Sequence, residues 1–167
     1  MYSTLHCKST GGRNATLGQF PYAVQIGFRK KQHPIGRVVY ACGGSLINDQ
    51  HVLTAAHCFL NPQITAVEVV LGEVDVTADP DCIFDVCNPL IQRISISKVI
   101  MHPSFSPNRN VPNDIALIRL STKAVYNVAV QPVCLPLPSD IIDSSGQVVV
   151  AGWGQTRHDS SGDLLVR

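Results

Sequence analysis

The hydrophobic residues of this 167-residue chain fall into short, β-branched runs separated by clusters of turn-forming residues. Runs of this length and composition predict β-strands rather than helices. The predicted strands are Tyr22–Phe28, Val38–Ala41, Val52–Ala55, Ala66–Leu71, Ile94–Met101, Ile115–Leu120 and Val148–Ala151. No stretch keeps a helical period over about ten residues, so the regular alternation of strand and turn predicts an all-β barrel or sandwich.

Residues 121–138 break this pattern. They contain Pro132, Pro136 and Pro138 and show no alternation of polar and apolar positions. Proline disfavours a central strand and favours extended chain, so this segment predicts a connection between two β units.

The charge balance argues against nucleic-acid and membrane partners. Thirteen Lys and Arg residues are offset by twelve Asp and Glu residues, for a net charge of +1. A nearly neutral chain has no overall field that would attract a polyanion. The apolar runs also fall far short of the roughly 20 residues that a spanning helix needs.

The six cysteines indicate a secreted protein. None forms a C-x-x-C pair, so three disulfides and an oxidising compartment are predicted in preference to a metal site. Asn14 begins an Asn-Ala-Thr sequence and is a candidate glycosylation site. Met1–His6 has neither a basic start nor an apolar core, so it is not a signal peptide, and the natural start of the protein is expected upstream.

Two segments place residues that can exchange protons at the ends of predicted strands. His57 and Cys58 follow the strand Val52–Ala55, and Asp114 immediately precedes Ile115–Leu120. A carboxylate at the mouth of an apolar strand needs a cation or a hydrogen-bond donor beside it. The alternatives are an ordinary half-buried histidine and an aspartate that accepts hydrogen bonds from nearby backbone N–H groups.

Five blocks in one order carry a family resemblance. They are Gly43–Ile47, Val52–Cys58, Asn113–Leu117, Pro132–Pro136 and Ala151–Gly154. Together they resemble the chymotrypsin/trypsin-like serine peptidase family, from about Gly11 to the last residue. The resemblance implies an all-β fold of two antiparallel β-barrels, with the first complete and only the start of the second present.

The same resemblance implies the domain organisation. Residues 1–10 are expected to be the remnant of a propeptide or light chain, and residues 11–120 the first barrel. Residues 121–138 then connect the barrels, and residues 139–167 begin the second.

The implied activity is serine-type endopeptidase chemistry on a protein or peptide substrate. His57 matches the family's general base, and Asp114 matches the aspartate that orients it. The nucleophilic serine belongs to a Gly-Asp-Ser-Gly-Gly block, which is absent after Asp114, so the chain as given is expected to be inactive. Asp143–Gly146 and Asp159–Gly162 are superficially similar but are interpreted as turns.

Two alternatives from other functional classes remain. The first is a non-catalytic protease homologue that acts as a binding cofactor in an extracellular proteolytic cascade. The second is a disulfide-rich β binding module unrelated to peptidases, which would require the five blocks to be coincidental.

The positions of the cysteines point to one group of proteins within that family. The family resemblance implies a disulfide between Cys42 and Cys58, beside His57. Cys82 and Cys87 have four residues between them and are expected to close a small ring, which, with Leu71–Glu73 before it, resembles the arthropod clip-domain proteases. The resemblance further implies a Cys7–Cys134 bridge of the kind that holds a light chain or prodomain after activation.

The family resemblance also implies a calcium site and an activation cleavage site. Glu73 and Asp75 lie where some family members bind calcium, and Asp79, Asp81 and Asp85 follow in the same loop. A solvated acidic loop is the alternative. Separately, the bond between Lys8 and Ser9 is the candidate activation cleavage site, although Ser9 stands where the family has an apolar residue.

Overall fold

The computed structural model describes residues 13–107, 112–137 and 149–153, together with the backbone of residues 165–166. The strands in this part of the chain are β1 (Arg13–Asn14), β2 (Ala23–Lys30), β3 (Val39–Asn48), β4 (His51–Thr54), β5 (Ile64–Leu71), β6 (Cys82–Ile83), β7 (Val86–Cys87), β8 (Gln92–Met101), β9 (Ala116–Leu120), β10 (Ala151–Gly152) and β11 (Leu165–Val166). A short 3-10 helix spans Ala56–Phe59. None of the described residues forms a helix long and apolar enough to cross a membrane.

Six of the strands close into an antiparallel barrel in the order β2-β3-β4-β9-β8-β5. Strand β2 joins the two ends of this order, because its Val24 pairs with Gly44 of β3 on one side and with Leu71 of β5 on the other. Closure leaves no unpaired strand edge in the barrel. The predicted all-β fold with a complete first barrel is confirmed.

The barrel interior is filled by the alternate residues of its strands. In β9, Ala116, Ile118 and Leu120 are buried, whereas the residues between them are more exposed. This period of two is what a strand with one buried face requires. The largest fully buried side chains of the core include Ile26, Leu46, Leu71, Ile118 and Leu120.

Strand β3 runs further than the sequence predicts. The prediction ended at Ala41, but the strand continues through two glycines to Asn48. Glycine is unfavourable in a strand unless another backbone or side chain approaches closely. A Cβ on Gly44 would lie 2.7 Å from Val52 Cγ1 and 2.8 Å from the carbonyl oxygen of Leu53, so glycine is needed there for β3 to reach β4.

The residues after the barrel pack back onto it. The backbone N–H of Val133 donates to the carbonyl oxygen of Leu46 at 2.8 Å, and Ala129 and Val130 are buried. Strands β10 and β11 form a separate three-stranded sheet with β1, in the order β1-β11-β10. The proposed boundaries at residues 10, 120 and 138 stay predictions.

Replacing Gly44 by alanine should destabilise the barrel by about 1–3 kcal/mol, because the added methyl group overpacks the contact between β3 and β4. The measurement is chemical unfolding of the variant and the parent chain. Gly43→Ala is the matched control, since its Cβ would meet only the carbonyl oxygen of Val24 at 3.5 Å. Equal losses in the two variants would contradict this explanation.

Candidate active site

The register between two barrel strands brings His57 and Asp114 together. Thr54, the last residue of β4, pairs with Ala116, the first residue of β9. Because the strands are antiparallel, the chain that follows Thr54 and the chain that precedes Ala116 leave the barrel at the same edge. His57 lies three residues after Thr54, and Asp114 lies two residues before Ala116.

The backbone around His57 is held on both sides. His57 lies in the 3-10 helix, and the next residue, Cys58, is bonded to Cys42 of β3 with a Cα–Cα distance of 6.3 Å. Before the helix, Thr54 Oγ1 donates to the carbonyl oxygen of Gly43 at 2.8 Å. Both contacts tie this turn to β3, so the histidine leaves the barrel in a fixed direction.

Asp114 is directed by the residue before it. Asn113 has a φ of 80°, and its carbonyl oxygen accepts the N–H of Ile115 at 2.8 Å, which closes a tight turn. Asparagine tolerates positive φ better than most residues because its short polar side chain bonds locally. The role of Asn113 was not predicted, although an asparagine directly before an aspartate at the start of a strand is a sequence signal for such a turn.

The carboxylate of Asp114 engages His57 through both oxygens. Oδ2 lies 2.7 Å from His57 Nδ1, and Oδ1 accepts the backbone N–H of His57 at 2.8 Å. One oxygen of Asp114 thus contacts the imidazole ring, as expected of a residue that orients the histidine. The other accepts a backbone N–H, as the alternative interpretation of this aspartate predicts. The histidine side chain is 62% exposed, so the far side of the ring is open to a ligand.

These contacts set the charge of Asp114. Although burial acts in the opposite direction, hydrogen bonds from the ring and backbone N–H of His57 lower the pKa of Asp114 below its ordinary value of 3.8. The carboxylate is therefore ionised at neutral pH and favours a proton on Nδ1. A neutral ring in that tautomer has its free electron pair on Nε2.

The ring does not lie in a metal site. The potential ligand atoms of Cys42, His57 and Cys58 are within 4.8 Å of one another, but the two sulfurs are bonded to each other. A disulfide has no thiolate to bind a metal ion. Among the described residues this is the one group of three His, Cys, Asp or Glu side chains close enough together to share a metal ion, and its disulfide rules it out.

A groove lies beside the histidine turn. It has a volume of about 430 Å³ and runs between β3, at Tyr40–Ser45, and residues 150–153. Cys42 lines the groove and carries the disulfide to Cys58, so the groove adjoins the turn that holds His57.

The acidic loop after β5 is more buried than a solvated loop would be. Gly72 turns the chain with a φ of 81°, and Glu73 and Asp81 are both buried. The carboxylate of Asp81 accepts the N–H groups of Val74 at 2.7 Å and Asp75 at 3.0 Å. Both oxygens of Asp81 are therefore used to shape the loop.

Glu73 is the residue of this loop that best fits a cation. Its Oε1 is buried and has no hydrogen-bond partner among the described residues. Burial, together with the negative charge of Asp81, raises the pKa of Glu73 to about 7. Asp75 fits less well, because its Oδ1 already accepts from the N–H and the hydroxyl of Thr77. One of the two predicted calcium ligands thus has an oxygen that lacks a partner.

The remaining predicted sites are scattered. Cys82 and Cys87 are bonded to each other across β6 and β7, in an exposed hairpin that also carries Asp85; Asp79, before it, is exposed as well. Asn14 is exposed in β1. Cys134 is exposed, whereas its predicted partner Cys7 lies outside the described residues. Lys8, Ser9, Asp143–Gly146 and Asp159–Gly162 also lie outside the described residues.

One polar cluster was not predicted. The hydroxyl of Tyr40 donates to Glu68 Oε1 at 2.6 Å, and Arg93 lies 3.5 Å from the same oxygen and 5.9 Å from the centre of the Tyr40 ring. These residues come from β3, β5 and β8, so only the strand order brings them together.

Comparison with known proteins identifies the family. Residues 9–166 match the Trypsin family. The chain belongs to the trypsin family. Phenoloxidase-activating factor 3 of Holotrichia diomphalia is 40% identical over 161 residues, which cover 93% of this chain and 45% of that protein. Serine protease 7 of Drosophila melanogaster is 47% identical over 156 residues, which cover 89% and 39%.

A solved structure of similar fold supports the same assignment. The Drosophila Grass clip serine protease of the Toll pathway superimposes with a TM-score of 0.76 at 27% identity, covering 97% of this chain and 47% of that one. The trypsin-family chain therefore resembles arthropod clip-domain serine proteases, and it spans less than half the length of each of these three proteins.

The contacts of Asp114 should make stability depend on pH. Because its pKa is lower in the folded chain, the carboxylate stabilises the fold above about pH 3.8, and this contribution is lost as pH falls through the lowered pKa. Urea unfolding of the trypsin-family chain and of Asp114→Asn should differ near neutral pH and converge in acid. Asp85→Asn, an exposed carboxylate, is the control and should follow the parent chain at each pH. Curves for Asp114→Asn that run parallel to the parent would contradict the assignment.

Proposed function

We propose that this chain forms part of a serine-type endopeptidase in which His57 is the general base and Asp114 orients it. The observation that carries the proposal is the contact of 2.7 Å between His57 Nδ1 and Asp114 Oδ2. A histidine whose Nδ1–H is held by an ionised carboxylate has Nε2 available to accept a proton.

The proposed mechanism assigns one step to each residue. Nε2 of His57 takes the proton from a serine hydroxyl as the oxygen attacks the peptide carbonyl, and then gives that proton to the departing amine. Asp114 keeps the proton of Nδ1 in place and stabilises the imidazolium that forms. The groove between β3 and residues 150–153 would hold the peptide chain beside the disulfide that anchors the turn of His57.

The nucleophilic serine of the proposed mechanism has no candidate in this sequence. No Gly-Asp-Ser-Gly-Gly block follows Asp114 in the sequence given, so we propose that this 167-residue polypeptide has no peptidase activity by itself. Loss of a nucleophile and its oxyanion hole removes most of the rate enhancement of such an enzyme.

We further propose an extracellular setting and a protein substrate. The two disulfides fit an oxidising compartment. Relatives are named for phenoloxidase activation and for the processing of Spaetzle, which supports the proposal of a protein substrate. A disulfide-linked light chain or prodomain would use Cys134, which is exposed.

The kinetic test uses the complete protein that the proposal requires, in which the nucleophilic serine follows these 167 residues. Asp114→Asn should lower kcat/KM on peptide substrates by about 10⁴-fold, because the histidine loses the partner that fixes its tautomer; the size of this loss is taken from the family's best-studied enzyme. Asp85→Asn is the matched control and should leave kcat/KM unchanged. If Asp114→Asn kept a tenth of the parent activity, the proposed role of Asp114 would be wrong.

A fluorophosphonate probe separates the endopeptidase from the non-catalytic homologue. It should label the complete protein and leave the 167-residue chain unlabelled, because the reaction needs an activated serine. If the complete protein stayed unlabelled after activation and its sequence had another residue at the serine position, the cofactor function would be preferred.

We also propose that the loop after β5 binds calcium through Glu73. Its buried and unpartnered oxygen supports this, since calcium prefers carboxylate and carbonyl oxygens. A bound cation would offset the cost of ionising Glu73 and would hold the loop next to β5.

At about pH 8, above the pKa of Glu73, millimolar calcium should raise the melting temperature of the chain by about 2–4 °C, and a chelator should reverse the rise. Glu73→Gln should melt higher than the parent without calcium, because no buried charge remains, and should not respond to it. Asp85→Asn is the control and should respond as the parent does. An equal response of all three proteins would show that Glu73 is not a ligand.

A further inference from the structure

The hairpin loop between β2 and β3 forms one wall of a second cavity. This cavity has a volume of about 600 Å³. Its apolar floor is made by Phe28, Val39, Ala41 and Ile64, which come from β2, β3 and β5. Val39 is 58% exposed, so the floor is open to a ligand from solvent.

The rim of the cavity is cationic. Lys30 and Arg37 supply its positive charge, and His33 also lines it. Arg29 and Lys31 stand beside Lys30 in the sequence. Every Asp and Glu of the chain lies at position 49 or later, so the hairpin has no acidic residue of its own. In the part of the chain that the structure describes, the ion pairs involve other residues, and none joins a carboxylate to the rim.

The acidic residue paired with this hairpin in the barrel is already engaged. Glu68 of β5 stands opposite Gly27 of β2, but its Oε1 accepts from Tyr40 and lies 3.5 Å from Arg93. The positive charge of the rim is therefore left for a ligand.

The loop is held in shape by its own backbone. The N–H of His33 donates to the carbonyl oxygen of Lys30, and the N–H of Gly36 donates to that of His33, both at 2.9 Å. Lys31 is tied to Gln63 at the start of β5 by a further backbone hydrogen bond of 2.9 Å, and Arg29 Nη1 bonds the carbonyl oxygen of Pro34 at 3.0 Å. A preformed cavity loses little conformational entropy on binding.

We propose that this cavity binds an acidic segment of a partner protein that also carries a large apolar side chain. The apolar side chain would cover the floor, and the carboxylates would pair with Lys30 and Arg37. A polyanion without apolar groups, such as a sulfated polysaccharide, would match the rim but would leave the floor exposed. This site goes beyond the proposed peptidase activity, because none of its residues takes part in proton transfer.

The cavity is joined to the histidine turn by the covalent structure. Ala41 on the cavity floor precedes Cys42, which is bonded to Cys58, the residue after His57. A partner held in the cavity would therefore lie next to the groove in which we place the peptide.

The test uses a fluorescent peptide with a Phe-Leu pair between two short runs of glutamate, and anisotropy to measure its binding to the chain. The peptide should bind, and raising sodium chloride from about 50 mM to about 300 mM should weaken binding, because salt screens exposed charges. Lys30→Gln/Arg37→Gln should weaken binding by about tenfold or more. Val39→Ser should also weaken it, through the apolar floor.

The matched control is Lys98→Gln/Arg119→Gln, which removes the same charge from two exposed residues that pair across β8 and β9. Its affinity should stay within about twofold of the parent. Circular dichroism and thermal melting establish that each variant is folded. The peptide with glutamines in place of glutamates should not bind.

Three outcomes would overturn the proposal. The first is an equal loss of affinity in the two double variants, which would show a response to net charge alone. The second is equal binding of a peptide with alanines in place of Phe-Leu. The third is tighter binding of a heparin hexasaccharide or a single-stranded oligonucleotide than of the peptide, which would assign the rim to a polyanion. Loss of peptidase activity in Asp114→Asn would leave all of these measurements unaffected, so the two proposals fail separately.

Discussion

The antiparallel register between β4 and β9 is the constraint on which the described site depends. Thr54 lies opposite Ala116, so the end of β4 and the start of β9 meet at one edge of the barrel. This places Asp114 at hydrogen-bond distance from the ring of His57. A slip of one residue would move the aspartate by about 3.3 Å and would turn the buried face of β9 outward. The core therefore fixes the distance between the imidazole of His57 and the carboxylate of Asp114, so a change in the packing of β9 would also change this contact.

Two loops of the barrel differ in charge and in burial. At one corner, Gly72 and Asp81 turn an acidic loop inward, so that Glu73 is held in an environment where its ionisation is costly. At another corner, the hairpin after β2 presents cations around an apolar floor. Both loops are anchored on paired strands of the barrel, which hold buried carboxylates at the first corner and exposed cations at the second.

The sequence predicts most of the barrel strands and the pair His57 and Asp114, because strand periodicity and block order are local signals. It does not predict the full length of β3, since Gly43 and Gly44 are poor strand formers, and only the close approach of Val52 and Leu53 explains the glycine at position 44. The sequence places a cluster of turn-forming residues at Lys30–Gly36, between two predicted strands, and indicates no more than a loop there. That this loop closes a cavity depends on Ile64, which the register of β2 with β5 brings beside Lys30. The burial of Glu73 likewise depends on the conformation of Gly72.

The disulfide between Cys42 and Cys58 connects two regions that are far apart in the sequence. Ala41, on the floor of the cavity beside the β2–β3 hairpin loop, precedes Cys42, and the disulfide connects Cys42 to the turn of His57. Binding free energies are reciprocal between linked sites. If a ligand that reorders the histidine turn changes the affinity of the proposed cavity site, then the ligand of that site changes the affinity of the first ligand by the same factor. A ligand bound in the cavity would then alter the surroundings of His57 without contacting its ring.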